Sequence, residues 1–304
     1  MFGYAFAKAL EIQYNTEVKL DILFYTKKIN RKNNNIRNFE LSHFDVHIKY
    51  AFGVANRLDK IITSLIPKRF RADFTPSPFN LIKDNKDLHI KIKERYPFPK
   101  DTYFEGYFQN LVYFDHIRNI LLHDFCLKTP LDLKNKQLQD YILHTHNSVF
   151  LHIRRGDYLE YEHSGFINLT YTNYYNTALK TIQEKLGKAH IFIFSNDMVW
   201  CKEHFLNGLD SKILQDLTFQ FADNNNEGSA AFEMELMRSC KHGIIANSTF
   251  SWWAAYLIQY PNKIIVAPNE FFTIVQDSYS VFHDYEDKIL PKNWHRIPLT
   301  KENK

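Results

Sequence analysis

The sequence predicts an α/β protein with a parallel sheet in its C-terminal half. Two observations carry this. Five short apolar runs of strand composition alternate with helix-period stretches between residues 149 and 266. Glycine, proline and polar clusters punctuate them at the expected breaks. The first run, 149–153 (VFLHI), has strand length, and Gly156 stops it. A helix follows over 172–186, ended by Gly187 as a C-cap glycine. HIFIF at 190–194 is a strand, and 195–197 a turn in which Asp197 suits the N-cap of a helix over 198–206. A strand at 217–221 leads into the polar loop 222–228, and Ser229 suits the cap of a helix running to about Cys240. GIIA at 243–246 is a strand, 247–250 a turn, 251–260 a helix ended by Pro261, and KIIV at 263–266 a strand.

The N-terminal half has weaker periodicity. Helices are expected over 1–12, 45–63 and 115–125, with Pro-rich interruptions at 74–79 and 96–100. The basic, Asn-rich stretch 27–37 reads as a solvated loop. A boundary is expected in the polar run 135–147, giving regions 1–140 and 141–304. No internal repeat is evident.

The most informative segment is VFLHIRRGDYL at 149–159. It places Arg154 and Arg155 at the carboxyl end of a buried strand, where open α/β sheets bind ligands. Guanidinium is always charged, and its planar fork of donors suits phosphate. A charge-assisted hydrogen bond contributes about 1.5–3 kcal/mol. The pair reads as a pyrophosphate clamp. Alternation along the strand puts His152 and Arg154 on one face, and Asp157 beyond the glycine suits a brace for an arginine. The bland alternative is a sheet-end ion pair with Asp157. An Arg-Gly-Asp adhesion tripeptide would need an exposed loop tip, and an apolar strand runs straight into this one.

The 304 residues allow one large or two medium domains. Hydrophobic residues make up 45% and charged ones 24%, which is ordinary, whereas aromatics reach 16%. A net charge of +4 suits an anionic small molecule or a loose membrane-surface contact better than nucleic acid, and no RNA-binding motif or basic stripe appears. Cys126, Cys201 and Cys240 are scattered, with no CxxC or Cys/His cluster, which points to reduced thiols and away from structural zinc. No signal peptide or membrane-spanning apolar stretch is visible, so a cytoplasmic location, at the inner face of the membrane, is expected.

HIRRGDY at 152–158, FSND at 194–197 and NSTFSWWAAYL at 247–257 together resemble family 11 of the glycosyltransferases, the α-1,2-fucosyltransferases of bacteria and animals. EGYFQNLVYF at 105–114 is similar to that family's GYFQ passage, and MFGYAFAKAL at 1–10 to the end of its opening motif. The resemblance implies a GT-B type fold, two Rossmann-like domains facing a cleft. It implies GDP-fucose on the C-terminal side and a galactose-ended or lipid-linked glycan acceptor on the N-terminal side, with no cofactor beyond the donor.

Carried onto this sequence, the resemblance gives Arg154 and Arg155 the donor pyrophosphate, with Asp157 supporting them. His152 lies near the guanine or phosphates, within a segment that includes Gly156 and Tyr158. Asn196 and Asp197 line the nucleotide pocket. Glu233, with Glu235 as second choice, stands where relatives carry an Asp near the guanine. Asn247, Ser248, Thr249 and Ser251 serve the β-phosphate, since a strand followed by hydroxyl residues and a helix start is an anion site. Ser251 as a plain cap, and Asp197 as a plain cap, stay open alternatives. Trp252 and Trp253 read as core. Without an Asp-x-Asp at a strand end, metal-independent, inverting transfer is expected, the arginines stabilising the leaving GDP. A phosphate oxygen of GDP is a candidate base. Rival readings are another linkage such as α-1,6, or a relative that binds nucleotide or glycan without transfer.

The chain begins at the Met inside the family's opening motif, with Gly3 where relatives have Gln. A strand and glycine-rich turn therefore look absent, and Phe2, Tyr4 and Phe6 are expected to lose cover. On this reading the 304-residue chain is poorly soluble or weakly active, and about a dozen upstream residues would restore it.

Overall fold

The computed structural model describes residues 1–22, 25, 39–51, 80–100, 102–160, 165–225, 229–272 and 285–300. The side chain of Asp157, the expected loop at 27–37, the Pro-rich passage at 74–79 and residues 52–63 of the expected helix lie outside the described residues. The chain divides into two compact units, Met1–Lys128 and Thr129–Lys304.

In the first unit, helix α1 (Phe2–Tyr14) buries Phe2, Tyr4, Ala5, Phe6, Ala7, Ala9 and Leu10, and Asn15 closes it in the left-handed conformation. Phe2, Tyr4 and Phe6, expected to lose cover, are only 7%, 1% and 3% exposed. The Tyr4 hydroxyl donates to Asp124 at 2.6 Å, and Phe6 stacks on Phe108 at 4.2 Å. This aromatic cluster accounts for part of the unusual Phe and Tyr content. Strand β1 (Lys19–Asp21) pairs in parallel with β2 (Lys49–Ala51). The described part of the expected helix over 45–63 is thus irregular at 45–48 and strand at Lys49–Ala51. Strand β3 (Asn80–Lys83) pairs in parallel with β4 (Thr102–Glu105). Helix α2 (Lys86–Lys93) is capped by Asn85, and α3 (Arg118–Asp124) realises the expected helix near 115–125 after a 3₁₀ turn.

The second unit opens with helix α4 (Leu133–His144), capped by Asp132. It occupies the polar run in which a boundary is expected. Gln139 on α4 donates to Ser239 at 3.1 Å, so this run packs on the second unit and the division falls earlier, after Lys128. Strand β5 (Ser148–Ile153) is followed by α5 (Gly156–Glu160), α6 (Tyr174–Leu186) and β6 (Ala189–Ser195). Then come α7 (Met198–Trp200), α8 (Ile213–Asp216), β7 (Leu217–Phe221), α9 (Ala230–Ser239) and β8 (His242–Ile244). Helix α10 (Thr249–Leu257), β9 (Ile265–Pro268), α11 (Tyr285–Ile289) and β10 (His295–Ile297) complete it.

The six strands form one parallel sheet in the order β10-β9-β8-β5-β6-β7. Strand β5 lies in its interior with every residue buried, which explains its unalternated apolar run. Val149, Leu151 and Ile153 join Tyr174, Tyr175, Ala178, Leu179 and Ile182 of α6 in one core. Those α6 positions follow the helical period, and Gly187 ends the helix at φ 68°.

Several boundaries differ from expectation. The helix over 198–206 is three residues of α-helix, then a wider turn Cys201–Phe205 and a 3₁₀ turn. Ser229 stands at the N-cap of α9 without a side-chain cap bond. The last expected strand begins two residues late because the Lys263 ammonium turns back to the α10 carbonyls of Ala255 (2.8 Å) and Tyr256 (3.2 Å). Helix α10 starts at Thr249 with Ser248 as its cap, so the plain-cap reading of Ser251 is wrong. Strand β10 and helix α11 had no prior signal; the strand is three residues at the sheet edge.

Candidate functional site

The sheet order reverses once. The chain runs from β5 outward through β6 and β7, then returns to lay β8 on the other flank of β5 and continues to β9 and β10. Connections therefore diverge from the carboxyl ends of β5 and β8, the place where open α/β sheets bind ligands. The loop after β5 carries Arg154 and Arg155. The loop after β8 carries Asn247 and Ser248 and runs into α10.

Arg155 is held from three sides. Its Nη1 donates to Asp197 Oδ2 at 2.6 Å. Its guanidinium lies over the Trp200 ring, 4.5 Å from the centroid. Its backbone N–H donates to Asn196 Oδ1 at 3.0 Å, and the same oxygen lies 3.4 Å from the Gly156 nitrogen. A Cβ on Gly156 would come within 2.9 Å of Asn196 Nδ2, so any larger residue here would push on the Asn196 amide. Asp197 has two roles: Oδ2 pairs with Arg155, and Oδ1 accepts the Trp200 N–H at 3.2 Å as the cap of α7. The cap reading of Asp197 thus holds, and the same side chain also pairs with Arg155. Among the described residues, the carboxylate that braces Arg155 is Asp197 of the next strand's loop.

His152 is 2% exposed and its ring lies 5.7 Å from that of Phe250 on α10. Its carbonyl accepts the Tyr175 hydroxyl at 3.1 Å, which anchors the end of β5 to α6. Burial, reinforced by the charge of Arg154, lowers its pKa to about 3, so the imidazole is neutral at physiological pH. Burial raises Glu233 on α9 to about 7, with Arg154 pulling it back down. Glu233 and Arg154 thus sense each other's charge. Glu235 instead accepts from Gln139 of α4 at 3.4 Å, on another face of α9.

The β8 loop is built for rigidity. The Ser248 side chain accepts from Phe250 N–H at 3.3 Å as the cap of α10. Ser251 is fully buried; its hydroxyl accepts from Ala246 N–H at 3.2 Å and donates to the Ser248 carbonyl at 3.3 Å. Asn247 donates to the Ile167 and Phe271 carbonyls at 2.8 and 2.9 Å, and its own carbonyl accepts the Tyr158 hydroxyl at 2.8 Å. Asn247, Tyr158 and Ser251 therefore brace the loop from behind, while Ser248 and Thr249 stand half-buried at the helix start. Trp252 and Trp253 are core, at 0% and 2% exposure.

Among the described residues, three buried side-chain atoms around the two strand ends lack a hydrogen-bond partner: His152 Nδ1, Arg155 Nε and Asn247 Oδ1. Buried polar groups are normally satisfied, and clustered exceptions mark a functional site. Sequence reasoning missed Trp200, Tyr175 and Phe250. Trp200 had one usable signal, its place one helical turn after the capping Asp197.

Residues 71–297 match glycosyl transferase family 11. The chain belongs to that family. Over 90% of its length it is 31% identical to the O-antigen biosynthesis glycosyltransferase WbnK of Escherichia coli, covering 91% of that protein. It is equally, 31%, identical to an α-1,2-colitosyltransferase of Escherichia coli, covering 88% of it. Galactoside α-(1,2)-fucosyltransferase 2 of Bos taurus is 27% identical over 70% of this chain and 61% of its own. The family 11 match contains the whole of the β5 to β10 sheet. No helix among the described residues is long and apolar enough to cross a membrane.

Proposed function

We propose that the protein transfers L-fucose from GDP-β-L-fucose to a galactose hydroxyl of a glycan, forming an α-1,2 linkage with inversion. The observation that carries this reading is the meeting of Arg154, neutral His152 and the start of α10 at the single reversal of strand order. The names of the mammalian relatives supply the donor sugar and the linkage. In this reading, which follows a GT-B plan, the second unit holds the donor and the first the acceptor.

As the sugar–phosphate bond breaks, negative charge grows on the leaving diphosphate. Arg154 and the N–H groups at the start of α10 stabilise it without a metal ion. Arg155, fixed by Asp197 and Trp200, aims its remaining donors at the same charge. Glu233 faces the base, and a diphosphate oxygen takes the acceptor proton. No cofactor is required, the acceptor is a galactose-ended or lipid-linked glycan, and the protein works in the cytoplasm at the membrane face.

Release of GDP from GDP-fucose, measured with and without a galactose-ended acceptor, tests the proposal. Acceptor-dependent release that persists in excess EDTA, with an α-1,2 linkage by NMR, is the expected result. Loss of turnover on chelation, restored by Mn²⁺, would overturn metal independence, and no release at all would leave a binding protein. One observation favours a second donor sugar: the colitosyltransferase is as similar as any relative named above. Competition between the two GDP-sugars decides it.

A further inference from the structure

The donor reading leaves EGYFQ at 105–109 without a role. This segment sits at the carboxyl end of β4, beside the carboxyl end of its parallel partner β3. That is the same kind of position that the arginines occupy in the second unit.

The turn is held with unusual care. Asp84, just after β3, accepts the Phe108 N–H at 2.7 Å through one oxygen and the Tyr113 hydroxyl at 2.8 Å through the other. The Asp84 N–H in turn donates to the Glu105 carbonyl at 2.9 Å. A Cβ on Gly106 would lie 2.1 Å from Asp84 Cβ, so only glycine fits. Phe108 is forced to φ 54°, a left-handed conformation that a bulky residue rarely adopts. Its ring is 7% exposed and stacked on Phe6.

Between these two fixed residues stands Tyr107, 80% exposed. Its hydroxyl has no hydrogen-bond partner among the described residues. A strained, braced turn that presents one bare aromatic ring at a strand's carboxyl end marks a ligand contact rather than a packing element.

We propose that Tyr107 is the stacking platform for the terminal galactose ring of the acceptor. This rests on the galactoside acceptor proposed above. Galactose has its axial hydroxyl on one face, which leaves a patch of C–H bonds on the other. That patch suits a flat, amphipathic ring held in a fixed orientation. The buried Phe108 and Asp84 set the orientation; Tyr107 makes the contact.

The test uses the full chain with lactose as the probe acceptor. Tyr107→Ala removes an exposed ring, so folding is retained, and circular dichroism checks this. The KM for lactose should rise about fivefold or more, while the GDP dissociation constant stays within about twofold. Tyr107→Phe should keep both values near wild type, because the ring and not the hydroxyl makes the contact. Saturation-transfer NMR to lactose without donor should give a signal for wild type that Tyr107→Ala loses. An unchanged KM and an unchanged NMR signal in Tyr107→Ala overturn the platform and leave the donor site standing. Absence of any lactose signal from wild type also overturns it. Failure of wild type to bind GDP, with lactose binding intact and dependent on Tyr107, removes the donor reading alone.

Discussion

Arg155 and Arg154 are adjacent in sequence and differ in surroundings. Arg155 pairs with Asp197 and stacks on Trp200, a geometry that needs the planar fork. Lysine at 155 keeps the charge but loses the planar fork of donors. Arg155→Lys should lower transfer about tenfold, corresponding to about 1.4 kcal/mol, in a protein with an unchanged circular dichroism spectrum. Near-normal turnover would remove Arg155 from the site. His152 gives a prediction about pH. Its folded pKa, about 3, lies below the ordinary 6.5. As pH falls below 6.5 the unfolded chain gains this proton first, so stability is lost down to about 3. Between pH 7 and 5 the loss attributable to His152 is about 2 kcal/mol. Glu233 acts in the opposite sense, since its raised pKa costs stability as pH climbs from 4.5 to about 7. The comparison must therefore be between wild type and His152→Asn. Urea melts at the two pH values should show a distinctly smaller acid loss in the variant; parallel losses would refute a buried neutral imidazole.

At the scale of elements, packing inside the sheet is tight where β8 crosses back beside β5. A Cβ on Gly243 would stand 2.3 Å from Phe150 Cε1 and 2.6 Å from its Cζ. Gly243→Ala must displace a fully buried ring in the central strand. A cost of about 1–3 kcal/mol is expected for such overpacking. Thermal unfolding should show a lower midpoint, and GDP binding below the transition should weaken as the end of β5 shifts. An unchanged midpoint would mean that the ring has room to move. Gly187, Asp197 and the strands at 190–194 and 217–221 were legible because turn chemistry and period act over a few residues. The late start of β9 was not, because the ammonium of Lys263 answers to carbonyls of another element.

At the scale of the molecule, the two units each carry their own core, and the parallel sheet lies wholly within the second. The residues proposed for the donor all lie there too. Residues 129–304 expressed alone should therefore fold and bind GDP within about tenfold of the full chain, by calorimetry. A folded fragment that does not bind would place essential donor contacts in the first unit. The division after Lys128 is not legible in the sequence, because the polarity of 135–147 marks no boundary. It is the outer face of α4, whose Gln139 donates to Ser239 of α9.

The sequence by itself determined the alternation of strands and helices after residue 148, the caps and stops, and the two arginines at a strand end. It also carried the motifs that place the chain in family 11. These are local properties of periodicity and side-chain chemistry. Only the tertiary structure decided which strand ends meet. Every parallel strand offers the same backbone hydrogen bonds, so nothing local says that β8 lies beside β5. That one pairing brings Phe250, at the start of α10, to His152. The structure likewise decided that Asp197 braces Arg155, that Asn247 and Ser251 face inward, and that Tyr107 stands exposed on a turn fixed by Asp84. The Asp197–Arg155, Asn247–Phe271 and Asp84–Phe108 contacts join residues separated in the chain, which meet only when the fold of each unit is complete.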